Sequence, residues 1–243
     1  MTINIKLPTR WSELDADSLF VVIKLLARYD FETTKSLFLV HLLGKQGYSV
    51  KFHPDAGYFF KVGKQTVTLD VDTFVSMKLK LSFIETPDAV RQETINGRKA
   101  VHPLLQEDFT FFEYLRVENM YQAFLMTKDN RYLRLASEYL YRSDSGKKMP
   151  ELTADQNTAI LLWIAGIKIR LSNIFPHFFS PCGDNSNGGS YNAMEAMDAQ
   201  IRALTGGDIT KEKEVLDSQC WRALSELNAK AREAEELRKA TKK

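Results

Sequence analysis

Residues 109–125 read Phe-Thr-Phe-Phe-Glu-Tyr-Leu-Arg-Val-Glu-Asn-Met-Tyr-Gln-Ala-Phe-Leu, residues 130–142 read Asn-Arg-Tyr-Leu-Arg-Leu-Ala-Ser-Glu-Tyr-Leu-Tyr-Arg, and residues 159–171 read Ala-Ile-Leu-Leu-Trp-Ile-Ala-Gly-Ile-Lys-Ile-Arg-Leu. Aromatic and long aliphatic side chains recur in them at helical spacing, which predicts three packed helices. Asp108 or Thr110 can cap the first, Asp129 or Asn130 the second, and Thr153 or Asp155 the third. The short connection at 128–130 makes the first two antiparallel neighbours. The third is the most hydrophobic and is expected at the centre of the core. Gly166 inside it costs about 1 kcal/mol relative to alanine, so a close helix–helix approach is expected there.

Toward the N-terminus, Ser12-Glu-Leu-Asp15 resembles a capping box, with the Ser12 hydroxyl placed to accept an amide three residues on. Leu19, Val22, Ile23, Leu26 and Ala27 then mark an amphipathic helix. A second helix is expected over about 32–43, stopping at Gly44 and Gly47. The two should form a helical hairpin. Between 48 and 70 the period becomes that of strands. The runs 48–52, 57–62 and 65–69 are aromatic and β-branched and are separated by turn residues. A small antiparallel ribbon or three-stranded meander, packed on a helix, is expected. A third helix follows over about 71–84. From 86 to 108 the chain carries Pro87, Asn96-Gly97 and Pro103. Asn-Gly is a hairpin signal, while the simpler reading of so long a stretch is a mobile connector with little core material.

Toward the C-terminus, Ser180-Pro-Cys-Gly-Asp-Asn-Ser-Asn-Gly-Gly-Ser190 has linker composition. Two helices are expected beyond it, over about 191–204 and 210–239, divided by Gly206-Gly207. Leu224, Leu227, Ala231 and Ala234 give the last one a short coiled-coil-like seam. The expected fold class is therefore mainly α (α+β), a helical core with a small antiparallel β ribbon in the N-terminal third. Five segments follow: 1–85 (helical hairpin, ribbon and helix), 86–108 (connector or flap), 109–180 (helical core), 181–190 (linker) and 191–243 (C-terminal helices).

The 243 residues are 44% hydrophobic and 26% charged, ordinary globular usage that excludes a wholly disordered chain. A net charge of +2 lacks the basic excess of a dedicated nucleic-acid binder. Two cysteines, Cys182 and Cys220, do not make a disulfide framework, and a reducing compartment is expected. The N-terminal residues do not read as a signal peptide, and 159–171 is too short for a membrane span and contains Lys168 and Arg170. A cytoplasmic location is expected.

The chemistry-bearing residues form no recognisable site. His41, His53, His102 and His177 lack zinc spacing relative to one another and to cysteine. Nucleophile-elbow, P-loop and dinucleotide motifs are absent. Glu113 and Glu118, with Arg116 near them, are a pair of carboxylates that also suits a solvated helix face. Tyr132, Arg134, Tyr139, Tyr141 and Arg142 could stack bases, and equally suit core packing with snorkelling arginines. No catalytic, cofactor-binding or metal-binding residue is assigned, no cofactor is expected, and a non-enzyme is expected.

Several stretches together resemble a family of small proteins of phages and prophages of Bacteroides-type bacteria: Phe109-Thr-Phe-Phe-Glu-Tyr, Glu118-Asn-Met-Tyr-Gln-Ala-Phe, Leu135-Ala-Ser-Glu-Tyr-Leu-Tyr-Arg142, Phe175-Pro-His-Phe-Phe179 and the helical segment 223–237. The resemblance covers about residues 105–240 and rests on packing residues. It implies virion morphogenesis in the cytoplasm of the bacterial host, in tail assembly, as a chaperone that holds apolar helices of a tape-measure protein. Partners would be the tape measure, tail tube or connector, and a homo-oligomer is an open possibility. The alternatives are a structural head–tail connector or other virion component, and a nucleic-acid-binding accessory protein. The candidate partner-binding residues are Trp221, Leu224 and Leu227 on the last helix, for which packing on the chain's own core is the equal alternative.

Overall fold

The computed structural model describes residues 5–53, 57–62, 65–143, 147–180 and 193–241. The fold is mainly helical with small antiparallel sheets. Trp11–Glu13 form a 3-10 turn, followed by α1 (Ala16–Leu26) and α2 (Phe31–Lys45). Asp15, not Ser12, caps α1: its carboxylate accepts from the Ser18 amide at 2.8 Å and also from Lys45 Nζ. Asp30 caps α2 in the same way, and Gly47 follows that helix at φ 85°, the left-handed geometry that ends helices. Strands β1 (Ser49–His53), β2 (Gly57–Val62) and β3 (Gln65–Leu69) form the expected antiparallel meander, with Ser49 opposite Lys61 and Lys61 opposite Thr66. Helix α3 (Val71–Leu79), capped by Asp70, leads into a second 3-10 turn, Ser82–Glu85.

The first core gathers Trp11, Val22, Phe38, Leu39, Leu43, Phe74, Leu81 and Ile84. One charge enters it: Lys35, 4% exposed, holds Glu85 at 2.6 Å and also bonds Glu32. Burying an ammonium is costly unless it is paired, and here two carboxylates raise its pKa above the ordinary lysine value.

Residues 86–109 do not form a connector poor in core material. Strands β4 (Thr94–Ile95) and β5 (Arg98–Ala100) make a hairpin whose turn, Asn96 at φ 51° and Gly97 at φ 75°, has positive φ at both central residues, as Asn-Gly favours. β6 (Tyr141–Arg142) pairs with β5, and Ile95, Val101, Leu105 and Phe109 are buried. Non-local pairing decides this, because the partner strand lies some 40 residues downstream.

Helices α4 (Phe111–Thr127) and α5 (Asn130–Leu140) are joined through Lys128 at φ 57°. Thr110 with Glu113, and Thr153 with Gln156, form complete capping boxes on α4 and on α6 (Ala154–Ile174). Helix α6 is the spine of the molecule. Ile160, Trp163, Ile164, Ile167 and Leu171 enter the second core, while Leu162 packs against the first. Then come α7 (Pro176–Phe179), α8 (Ala193–Thr205), α9 (Glu212–Asp217) and α10 (Cys220–Thr241). The single helix expected over 210–239 is broken at Ser218-Gln219. There the backbone exchanges bonds with the start of α4: Phe111 N donates to Ser218 O at 2.8 Å and Cys220 N donates to Phe109 O at 2.9 Å.

Gly166 is closely packed, but not against a helix. An added Cβ would lie 1.9 Å from the carbonyl carbon of Asp88 and 2.4 Å from the Ala89 amide nitrogen. The backbone of the 86–93 strap is laid directly on α6, and a bidentate pair from Arg170 to Asp88, at 2.7 and 2.8 Å, clamps it there. Gly166→Ala is therefore expected to lower stability by about 1–3 kcal/mol despite alanine's better helix propensity. Gly44→Ala, where a Cβ meets nothing within 4 Å, should raise it by about 0.5–1 kcal/mol. Urea unfolding of the two variants tests the contrast.

Candidate functional site

The strap is fastened at three further points. The Trp11 indole N–H donates to Phe83 O at 3.0 Å and Thr86 O at 2.8 Å, with its ring edge-on to Phe83. Tyr141 Oη donates to Gln92 O at 3.1 Å, and Ala100 N donates to Glu93 O at 3.0 Å. Burial pushes the Tyr141 phenol well above its ordinary pKa, so it stays a donor.

So held, the strap forms one wall of a groove of about 880 Å³. Trp11, Leu14, Leu19 and Phe20 form the opposite wall, and the first turn of α6, with Asp155 and Gln156, closes one end. Two contacts fix that end: Arg28 pairs with Asp155 at 2.8 Å, and Gln156 Nε2 donates to Asn96 Oδ1 at 3.1 Å. Phe20 is 48% exposed at the groove, a large aromatic surface left in water. Arg91 reaches Glu93 at 3.3 Å, while its Nε is buried without a hydrogen-bond partner among the described residues. An apolar wall, an extended backbone and a few polar groups suit the binding of a chain segment.

The residues singled out from the sequence lie elsewhere. Leu224 and Leu227 are 0% and 4% exposed in the second core, and half-buried Trp221 packs edge-on against Phe175 with ring centroids 5.3 Å apart. Leu224 and Leu227 are thus turned into the chain's own core in the described conformation, while Trp221 stays partly exposed. The Phe175-Pro-His-Phe-Phe179 motif folds the end of α6 onto α10, where Asn228 Oδ1 accepts from the His177 and Phe178 amides at 2.9 and 3.1 Å. Glu113 serves its capping box and pairs with Arg142 at 3.2 Å. Glu118 pairs with Lys168 and accepts from Gln122. His41 lies 3.6 Å from Asp17 and stacks on Phe38, His102 accepts from the Leu104 amide, and His177 faces Glu235 at 3.1 Å. The side chain of His53, and Cys182, fall outside the described residues. Cys220 is buried, which raises its thiol pKa far above the reactive range. Among the described residues no group of three His, Cys, Asp or Glu is placed to hold a metal ion.

The sequence pattern had not singled out Trp11, Phe20 or Arg91. Phe20 alone carried a signal, since it lies at the edge of the apolar arc of α1 and not within it.

No family model, curated protein or solved structure matches this chain.

The Arg170 guanidinium holds the Asp88 carboxyl below the ordinary aspartate range; burial opposes it, and the Ala89 amide adds a lesser lowering contribution. A depressed folded pKa contributes stability that is complete above the unfolded value, about 3.9, and is lost as pH falls through the folded one. Asp88→Asn should cost about 1 kcal/mol at neutral pH. The difference from the parent chain should close as pH falls below the aspartate range. Denaturant titrations of both proteins across that range check the sign.

Proposed function

We propose that this chain is a non-enzymatic phage or prophage assembly protein that acts through helix-mediated protein contacts in tail assembly, as a chaperone of the tape-measure protein. The observation that carries this reading is the preformed groove, with Phe20 left partly in water at its wall. Such a groove gives an apolar helix of a partner a place to bury its side chains. That is the physical task of a chaperone that keeps apolar helices soluble before a tube protein encloses them. The packing-residue motifs along 109–179 support the same reading, and the contact surface moves from α10 to the groove. The host cytoplasm is the proposed site of action. No helix among the described residues is long and apolar enough to cross a membrane.

Co-expression of the tagged chain with a tape-measure protein from the same gene cluster, followed by affinity purification, tests the proposal. The two should co-purify. Phe20→Glu, at a half-exposed position, should leave thermal unfolding nearly unchanged and reduce recovery at least tenfold, since it removes an apolar anchor and sets a charge in its place. Co-purification unaffected by Phe20→Glu would overturn the groove. Recovery of portal or capsid proteins in place of the tape measure would replace the chaperone with a connector.

A further inference from the structure

Helix α3 is apolar on two sides. Phe74 and Met77 enter the first core, while Val71, Val75 and Leu79 lie on the other side, 57%, 41% and 60% exposed. They are four residues apart and form one continuous stripe. Asp72, Ser76 and Lys80, each one position further on, form a second exposed stripe beside it. Asp72 and Lys80 make no ion pair among the described residues, in contrast to Lys78, which holds Glu32 at 2.7 Å.

Turned end for end about Val75, this pattern matches itself. Val71 of one copy meets Leu79 of the other, the two Val75 side chains meet on the axis, and the acidic first turn lies against the basic last turn. Asp72 then comes within lysine reach of Lys80, twice over by symmetry. Self-complementarity under a two-fold rotation is the defining property of an isologous dimer interface. Antiparallel pairing also sets the helix dipoles favourably.

We infer that the exposed face of α3 is a self-association surface, and that its occupant is α3 of a second copy of this chain. Charge complementarity selects that occupant: in the antiparallel pair both charged stripes lie on the same side of the seam and set Asp72 beside Lys80, whereas an antiparallel helix of the opposite charge order would set like charges together. A stripe of three apolar side chains is small beside the roughly 800 Å² per partner of a standard interface, so the dimer belongs to the weak, exchanging class. The surface is separate from the groove, and either proposal can fail without the other.

Sedimentation velocity of the full chain over a concentration series reaching about 0.5 mM reads the outcome. The parent chain should shift from monomer to dimer as concentration rises. Val75→Glu, which sets two carboxylates on the axis, should abolish the shift. Asp72→Lys should weaken association roughly tenfold, and the exchange Asp72→Lys with Lys80→Asp should restore it. All these positions are solvent-exposed, and unchanged circular dichroism would show that each variant is folded. A parent chain that stays monomeric throughout, or a dimer indifferent to Val75→Glu, would overturn the inference.

Discussion

The contact between the Asp88–Ala89 backbone and the Cα face of Gly166 is the constraint on which the arrangement depends. No residue with a side chain fits there without displacing the strap. The strap is the covalent link from the first core to the second, and α6 supplies Leu162 to one and Trp163 to the other. Seating the strap on the spine therefore sets the distance between the two cores. Arg170 adds direction, because a bidentate pair fixes both the carboxylate plane and the height at which the strap crosses.

The groove is a consequence of that seating. Its two walls come from opposite sides of the junction, the 3-10 turn and α1 on one side and the strap on the other. Trp11 ties them together, since its ring is buried in the first core while its N–H is shared between Phe83 O and Thr86 O, where the 3-10 turn passes into the strap. A buried indole N–H needs an acceptor, and the second 3-10 turn and the start of the strap supply one each, Phe83 O and Thr86 O. Neither wall makes the groove alone, and a shift of the strap would reshape it and disturb both cores, since Ala89 packs against the second and Val90 against the first.

Much of the helical framework was legible in the sequence, because caps and apolar periodicity are local. Thr110, Asp129 and Thr153 cap the helices whose starts they mark, and the three strands of the meander lie where the β-branched and aromatic runs place them, its turn residues 54–56 and 63–64 falling outside the described residues. What was not legible was set by distant partners. Nothing near Lys99 announces pairing with Arg142, and nothing near Ser218 announces the backbone bonds to 109–111 that break the last helix. Gly166 announced a close approach but not its partner, since a missing side chain is equally compatible with a helix or a strap. The apolar seam of α10 was visible as a pattern, yet a pattern cannot tell an inward face from an offered one. Burial of Leu224 and Leu227 decides that they face inward. Phe20 and the outer stripe of α3 are among the exposed apolar side chains that the core does not absorb.

Hydrogen exchange followed by mass spectrometry across a urea series tests most directly whether the strap welds the two cores into one cooperative unit. Peptides from α2 report on the first core and peptides from α5 on the second. The account predicts that both lose protection at the same denaturant concentration in the parent chain, and that the two transitions separate when Gly166→Val lifts the strap. Separate transitions in the parent chain itself would contradict it.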